Sequence, residues 1–164
     1  MSKTLVGVMG PGAGASADDI RAAYVLGQLI ARADWVLVTG GRATGVMDAA
    51  CRGARAEGGL TVGILPTDDA RGMSAAVDIP ILTGMGQARN NINVLSSVAV
   101  FACGMGAGTA AEIALAIKAG KPAILLNVAE AGQTFFAELG KGQVHLVNTP
   151  EEAVALAKRL ITGA

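Results

Sequence analysis

Leu5-Val6-Gly7-Val8-Met9-Gly10-Pro11-Gly12-Ala13-Gly14 is the stretch on which the fold turns: an apolar run of strand length that passes directly into a glycine-rich bend. Helical spacing begins just beyond it, with Ile20, Tyr24, Leu26, Leu29 and Ile30 recurring through residues 17–33. An apolar run without polar alternation belongs to a strand covered on both faces, which is the habit of parallel sheets. The same order repeats to the end of the chain. Residues 5–9, 35–38, 61–65, 98–102, 123–126 and 144–147 read as short buried strands, and residues 78–82 form a weaker candidate interrupted by Pro80. Helices are expected between them at 17–33, 46–57, 88–97, 109–119, 131–139 and 151–161. The last is announced by Thr149-Pro150-Glu151, a cap, a proline at the first helical position and an acid in the first turn. Alternation of β and α predicts an α/β fold, a three-layer Rossmann-like sandwich with a mainly parallel sheet and a single domain over residues 1–164. Residues 67–76 form the one long, polar, irregular connection and are the candidate cover for a site.

Composition narrows the function. The 164 residues are 52% hydrophobic but only 3% aromatic, so the core must be closely spaced Ala, Val, Leu and Ile. Thirteen basic and thirteen acidic residues cancel, so no basic face is implied and neither nucleic acid nor a membrane is an expected partner. Cys51 and Cys103 form no CxxC pair, and His145 is the single histidine. Neither a protein-held metal nor a disulfide framework is indicated, and a reducing, cytoplasmic setting is expected. The apolar run at residues 5–9 is too short for the core of a signal peptide. Residues 90–111 carry no formal charge and are long enough to span a bilayer. Their Asn90, Asn91, Asn93, Ser96 and Ser97, followed by three glycines, suit a soluble helix, strand and bend instead.

The glycines carry the functional signal. Three clusters follow strands: Gly10-Pro11-Gly12-Ala13-Gly14, Gly40-Gly41-Arg42-Ala43-Thr44-Gly45 and Gly104-Met105-Gly106-Ala107-Gly108-Thr109. In a parallel sheet those strand ends share one edge, where ligands bind and helix-start N–H groups attract an anion. A phosphate-bearing ligand is the expectation. The Gly-Lys-Ser/Thr of a Walker NTPase is missing, the first bend does not fit GxGxxG, and no acid ends the second strand to hold a ribose. Near the bends, Arg42 is either a fork for phosphate or an exposed loop charge. Arg89 opens the polar run Arg89-Asn90-Asn91-Ile92-Asn93, suited to a ligand or an interface. Thr109-Ala110-Ala111-Glu112 has the form of a capping box, yet Glu112 could equally face a ligand. Cys103 reads as a small buried apolar group, Asp48 as a helix-dipole acid and His145 as structural. Met9, Met47, Met85 and Met105 read as gap-fillers near the bends.

These landmarks have a family likeness. Thr39-Gly40-Gly41, Gly45-Val46-Met47, Gly63-Ile64-Leu65-Pro66, Arg89 and Gly106-Ala107-Gly108-Thr109-Ala110-Ala111-Glu112 resemble the Lonely-guy-type superfamily, long mislabelled lysine decarboxylases. That resemblance implies a phosphoribohydrolase that cleaves the N-glycosidic bond of nucleoside 5′-monophosphates, with Arg89 and Glu112 as its catalytic pair. The family's Pro-Gly-Gly is here Gly104-Met105-Gly106, and Asn90 replaces a basic residue. Val8-Met9-Gly10-Pro11-Gly12, Gly40-Gly41-Arg42, residues 77–81, residues 88–93 and Gly104-Met105-Gly106 are more similar to the molybdenum cofactor carrier proteins. The closer resemblance implies a homo-oligomer, dimer or tetramer, that binds the phosphorylated pyranopterin without catalysis and serves molybdoenzymes. Its implied binding residues are Gly10, Pro11, Gly12, Gly40, Gly41, Arg42, Arg89, Asn90, Gly104, Met105, Gly106, Gly108, Thr109 and Glu112.

Overall fold

Residues 2–163 are described by the computed structural model. Along the chain run β1 (Leu5–Met9), α1 (Ala17–Arg32), β2 (Val36–Thr39), α2 (Gly45–Ala56), β3 (Thr61–Leu65) and β4 (Ile79–Leu82). A 3-10 turn (Gly86–Arg89) leads into α3 (Asn90–Ser96), followed by β5 (Val100–Cys103), α4 (Ala107–Lys118), β6 (Ala123–Leu126), α5 (Glu130–Gly140), β7 (Val144–Leu146) and α6 (Pro150–Thr162). The strands form one sheet in the order β4-β3-β2-β1-β5-β6-β7, and every neighbouring pair is parallel. The expected three-layer sandwich is the observed architecture. Strand order reverses between β1 and β5, the position at which an open α/β sheet leaves a crevice beyond its carboxyl ends.

Both faces of the sheet are covered, which explains the unbroken apolar runs. In β5, Phe101 and Cys103 join the core under α1, α2 and α6, whereas Val100 and Ala102 join the core under α3, α4 and α5. Ile124 and Leu126 of β6 point to the first core, Ala123 and Leu125 to the second. Scarce aromatics are offset by close backbone approach. A Cβ on Gly27 of α1 would lie 2.1 Å from the Ala50 carbonyl oxygen, and one on Gly53 of α2 would lie 2.0 Å from that of Tyr24. These helices pack at glycine contacts that no other residue permits.

Pro80 did not prevent a strand. β4 is the sheet's edge and its residues are exposed, so the missing N–H interrupts no ladder toward a further neighbour. The stretch expected as one helix over 88–97 divides into the 3-10 turn and α3, and β5 begins two residues later than expected. Thr149 caps α6 as anticipated, its hydroxyl accepting from the Glu152 N–H at 3.1 Å. Cys51 and Cys103 are free and buried. Burial pushes their thiols up to about 11 and about 12, and the Cys103 Sγ donates to the Asp19 carbonyl at 3.3 Å. His145 sits within β7 opposite Ile124. Among the described residues, no helix is long and apolar enough to cross a membrane.

Candidate functional site

The three glycine bends meet. A cleft of about 490 Å³ opens at the carboxyl ends of β1 and β5, where strand order reverses. The first bend supplies Gly10, Pro11, Gly12 and Gly14; the second supplies Gly40, with Met47 from α2. Arg89 and Asn90 enter from the 3-10 turn and α3, and Met105, Gly106, Gly108, Thr109 and Glu112 from the third bend and α4. Gly10 makes the convergence possible: a Cβ there would lie 2.4 Å from the Cys103 carbonyl oxygen and 2.7 Å from both Val46 methyls. α4 starts from Gly106, whose extended backbone (φ −153°, ψ 172°) provides no side-chain cap. Its first-turn N–H groups therefore stand at the cleft without a protein side chain to satisfy them.

Not every expected residue lines this cleft. Gly41 (φ +76°) packs instead against Gly63 and Leu65. Gly104 (φ +76°) lies over the buried Asp19 carboxylate, 2.7 Å from where a Cβ would sit. Arg42 turns to the outer side, bridging Met73 through its backbone, with its guanidinium beside Gly72. Its charge still reaches Arg89, where it opposes protonation. Residues 67–76 are not a cover, because none of them lines the cleft. They strap the second glycine bend from outside: Ser74 N–H donates to the Gly41 carbonyl at 2.9 Å, and Ala43 N–H to that of Gly72 at 2.9 Å. Asp48, expected to serve the helix dipole, also accepts from the Ser74 hydroxyl at 2.6 Å. Met9, Met47 and Met105 line the cleft, while Met85 is exposed outside it.

The capping-box reading of Thr109 and Glu112 is overturned. With Gly106 as the cap, α4 begins before Thr109, which becomes its third residue and points inward. Thr109 is 2% exposed and its Oγ1 has no partner. Glu112 accepts instead from Asn93 Nδ2 at 3.0 Å. Burial raises the Glu112 carboxyl to about 7, against the opposing pull of the Asn93 hydrogen bond and the nearby Arg89 charge. Arg89 donates to Asn90 Oδ1 at 2.5 Å and to the Gly40 carbonyl at 3.5 Å. Desolvation lowers its pKa first, with Arg42 adding and Glu112 opposing; it stays cationic, as arginine does in proteins.

Among the described residues, three buried side-chain polar atoms lack a partner: Arg89 Nε, Asn93 Oδ1 and Thr109 Oγ1. All three lie at this cleft or directly behind it. Buried polar groups are almost always paired, so their concentration here marks a place built for an incoming group. Asn93 belonged to the polar cluster but was not expected in the site. Its separation of four from Arg89 puts both on one helical face, a signal available beforehand. Gln87 and Met47 also line the cleft, and neither spacing nor chemistry distinguished them. No group of three or more His, Cys, Asp or Glu among the described residues is arranged to hold a metal ion. The cleft thus offers amide and guanidinium donors around its rim, with one hydroxyl and one carboxyl at its inner end.

The molybdenum cofactor binding protein of Rippkaea orientalis is similar at 53% identity, covering 98% of this chain and 99% of that one, with a TM-score of 0.97. The Moco carrier protein of Chlamydomonas reinhardtii is 47% identical over 99% of this chain and 100% of its own, with a TM-score of 0.94. An uncharacterized protein of Archaeoglobus fulgidus is 42% identical over 151 residues, 91% of each chain. The model of the SLOG cluster4 family matches residues 3–154, nearly the whole length, and the chain belongs to that family.

Proposed function

We propose that this protein binds, protects and carries the molybdenum cofactor, a phosphorylated pyranopterin, without performing chemistry on it. The observation that carries the reading is that, among the described residues, the unpartnered buried side-chain polar atoms lie at or directly behind one cleft at the sheet's reversal point. The named relatives, alike over their whole length, supply the ligand's identity. The Gly10–Gly12 and Gly106–Gly108 backbones would hold the phosphate with Arg89, through N–H groups and a charge-assisted hydrogen bond. Asn90 would steady Arg89. Met47 and Met105 would pack on the planar ring, where thioethers make favourable contacts with aromatic edges.

Among the described residues, Glu112 is the one carboxyl in the cleft lining, and no histidine or cysteine lines it. Burial raises the Glu112 carboxyl to about 7, so near neutrality it is available both as a carboxylate and as an acid. The carrier relatives, alike over their whole length, favour a carrier over the hydrolase reading. Gly41, Gly104 and Arg42 would act from behind the wall, shaping the bends and the local field. A homo-oligomer, residence in the cytoplasm and delivery to molybdoenzymes complete the proposal.

The test uses cofactor freshly released from a molybdoenzyme. Its decay, followed by reconstitution of an apo-enzyme, is expected to slow in the presence of this protein. Arg89→Ala should weaken that protection about 10- to 100-fold in concentration, the worth of a hydrogen bond to a charged group. Equal decay with and without the protein, or release of free base from AMP that disappears in Glu112→Ala, would overturn the carrier reading.

A further inference from the structure

The cleft is chemically polarised from rim to inner end. At its rim, Ala107 and Gly108 are exposed and present backbone. Thr109, the next residue of α4, and Glu112, one turn beyond Gly108, are buried, 2% and 7% exposed. Glu112 takes a single hydrogen bond from the protein, that of Asn93 Nδ2. Asn93 is fully buried and not part of the lining, so it acts from behind, fixing the carboxyl while leaving its second oxygen open to the cleft. A phosphate dianion only accepts hydrogen bonds and has nothing to offer a carboxylate; its place is among the amides and Arg89. The inner end calls for a donor, because the Glu112 oxygen that faces the cleft only accepts and the buried Thr109 Oγ1 beside it lacks a partner. The open oxygen, together with the remaining lone pair of the oxygen that Asn93 holds, can accept from two adjacent, coplanar N–H groups. A pyranopterin has one such edge, the ring N–H beside the exocyclic amino group of its aminopyrimidinone.

We propose that Glu112, positioned by Asn93, reads the amino edge of the ligand's pyrimidinone ring, so that the ring enters the cleft first and the phosphate remains at the glycine rim. The proposal rests on the pyranopterin reading of the cleft and makes Glu112 a specificity-determining residue for it.

Two fluorescent probes separate this from a general phosphate site: neopterin 3′-monophosphate, and its lumazine counterpart in which an oxo group replaces the amino group. Wild-type protein is expected to bind the pterin at least about tenfold more tightly, a difference of about 1.4 kcal/mol. In Glu112→Gln the ratio should fall toward one, because the carboxamide brings its own N–H₂ against the ring's donors. Asn93→Ala, which keeps the carboxyl but frees it, should lower the same ratio, whereas a merely structural defect would weaken both probes alike. Should a variant fail to fold, the wild-type ratio decides alone. A wild-type ratio near one, or an undiminished preference in folded Glu112→Gln, overturns the proposal. If the cofactor is still protected in that case, the carrier reading stands; if neither cofactor nor neopterin phosphate is bound, both fall together.

Discussion

Glu112 shows how a single side chain is made costly for the fold and useful for a site. Its carboxyl is raised from an ordinary 4.5 to about 7, chiefly by burial. The native state therefore holds the proton more tightly than the unfolded chain does. The resulting stabilisation is fully present below about pH 4.5 and is lost as pH rises through about 7. Above that, the buried charge is a penalty of order 3 kcal/mol. Glu112→Gln, which keeps an acceptor for Asn93, should leave stability near pH 4.5 little changed and increase it by about 2–3 kcal/mol near pH 8. Urea denaturation at both pH values checks this, and an unchanged pH slope in the variant would refute it. A destabilising group retained at a cleft is the usual sign that function needs it. The sequence made Glu112 a candidate, but its local motif pointed to a cap. Only the early start of α4 at Gly106 turned Thr109 and Glu112 inward.

At the scale of elements, the helices and strands were largely readable, because period and punctuation are local properties. The differences have local causes too. β4 survives Pro80 because it is an edge, and residues 67–76 became a strap because Ser74 and Gly72 found backbone partners on the second bend. Neither partner is near in sequence. The α1–α2 crossing gives a sharper test of packing against propensity. Gly53→Ala raises intrinsic helix propensity by about 1 kcal/mol, but its methyl meets the Tyr24 carbonyl at 2.0 Å. Backbone cannot yield as a flexible side chain does, so the variant should be destabilised by about 2 kcal/mol or more. A chemical denaturation midpoint equal to or above wild type would show that the helices separate freely.

For the whole molecule, the cleft is a product of strand order. With β1 at the centre and the chain leaving it in both directions, the ends of β1, β2 and β5 come together although they are up to about a hundred residues apart in sequence. A ligand held there bridges the two halves of the sheet and should stabilise the fold as a unit. At 100 times its Kd, bound cofactor would contribute about 2.7 kcal/mol. For a chain of this size that corresponds to a rise in Tm of about 5–10 °C. Differential scanning fluorimetry with neopterin phosphate, at a concentration set by the titration, measures it. A midpoint that does not move at that concentration would show that the folded protein does not bind the probe.

The amino-acid sequence by itself determined the α/β alternation, the parallel sheet with both faces covered and the three glycine bends at strand ends. Each follows from apolar period, turn chemistry and short-range spacing. The tertiary structure alone decided which bend residues face the cleft. It turned Gly41, Arg42 and Gly104 away, brought Asn93 behind Glu112 and left Thr109 without a partner. The reason is physical: hydrogen-bond satisfaction and burial depend on neighbours supplied by strand order, and those neighbours are distant in the chain.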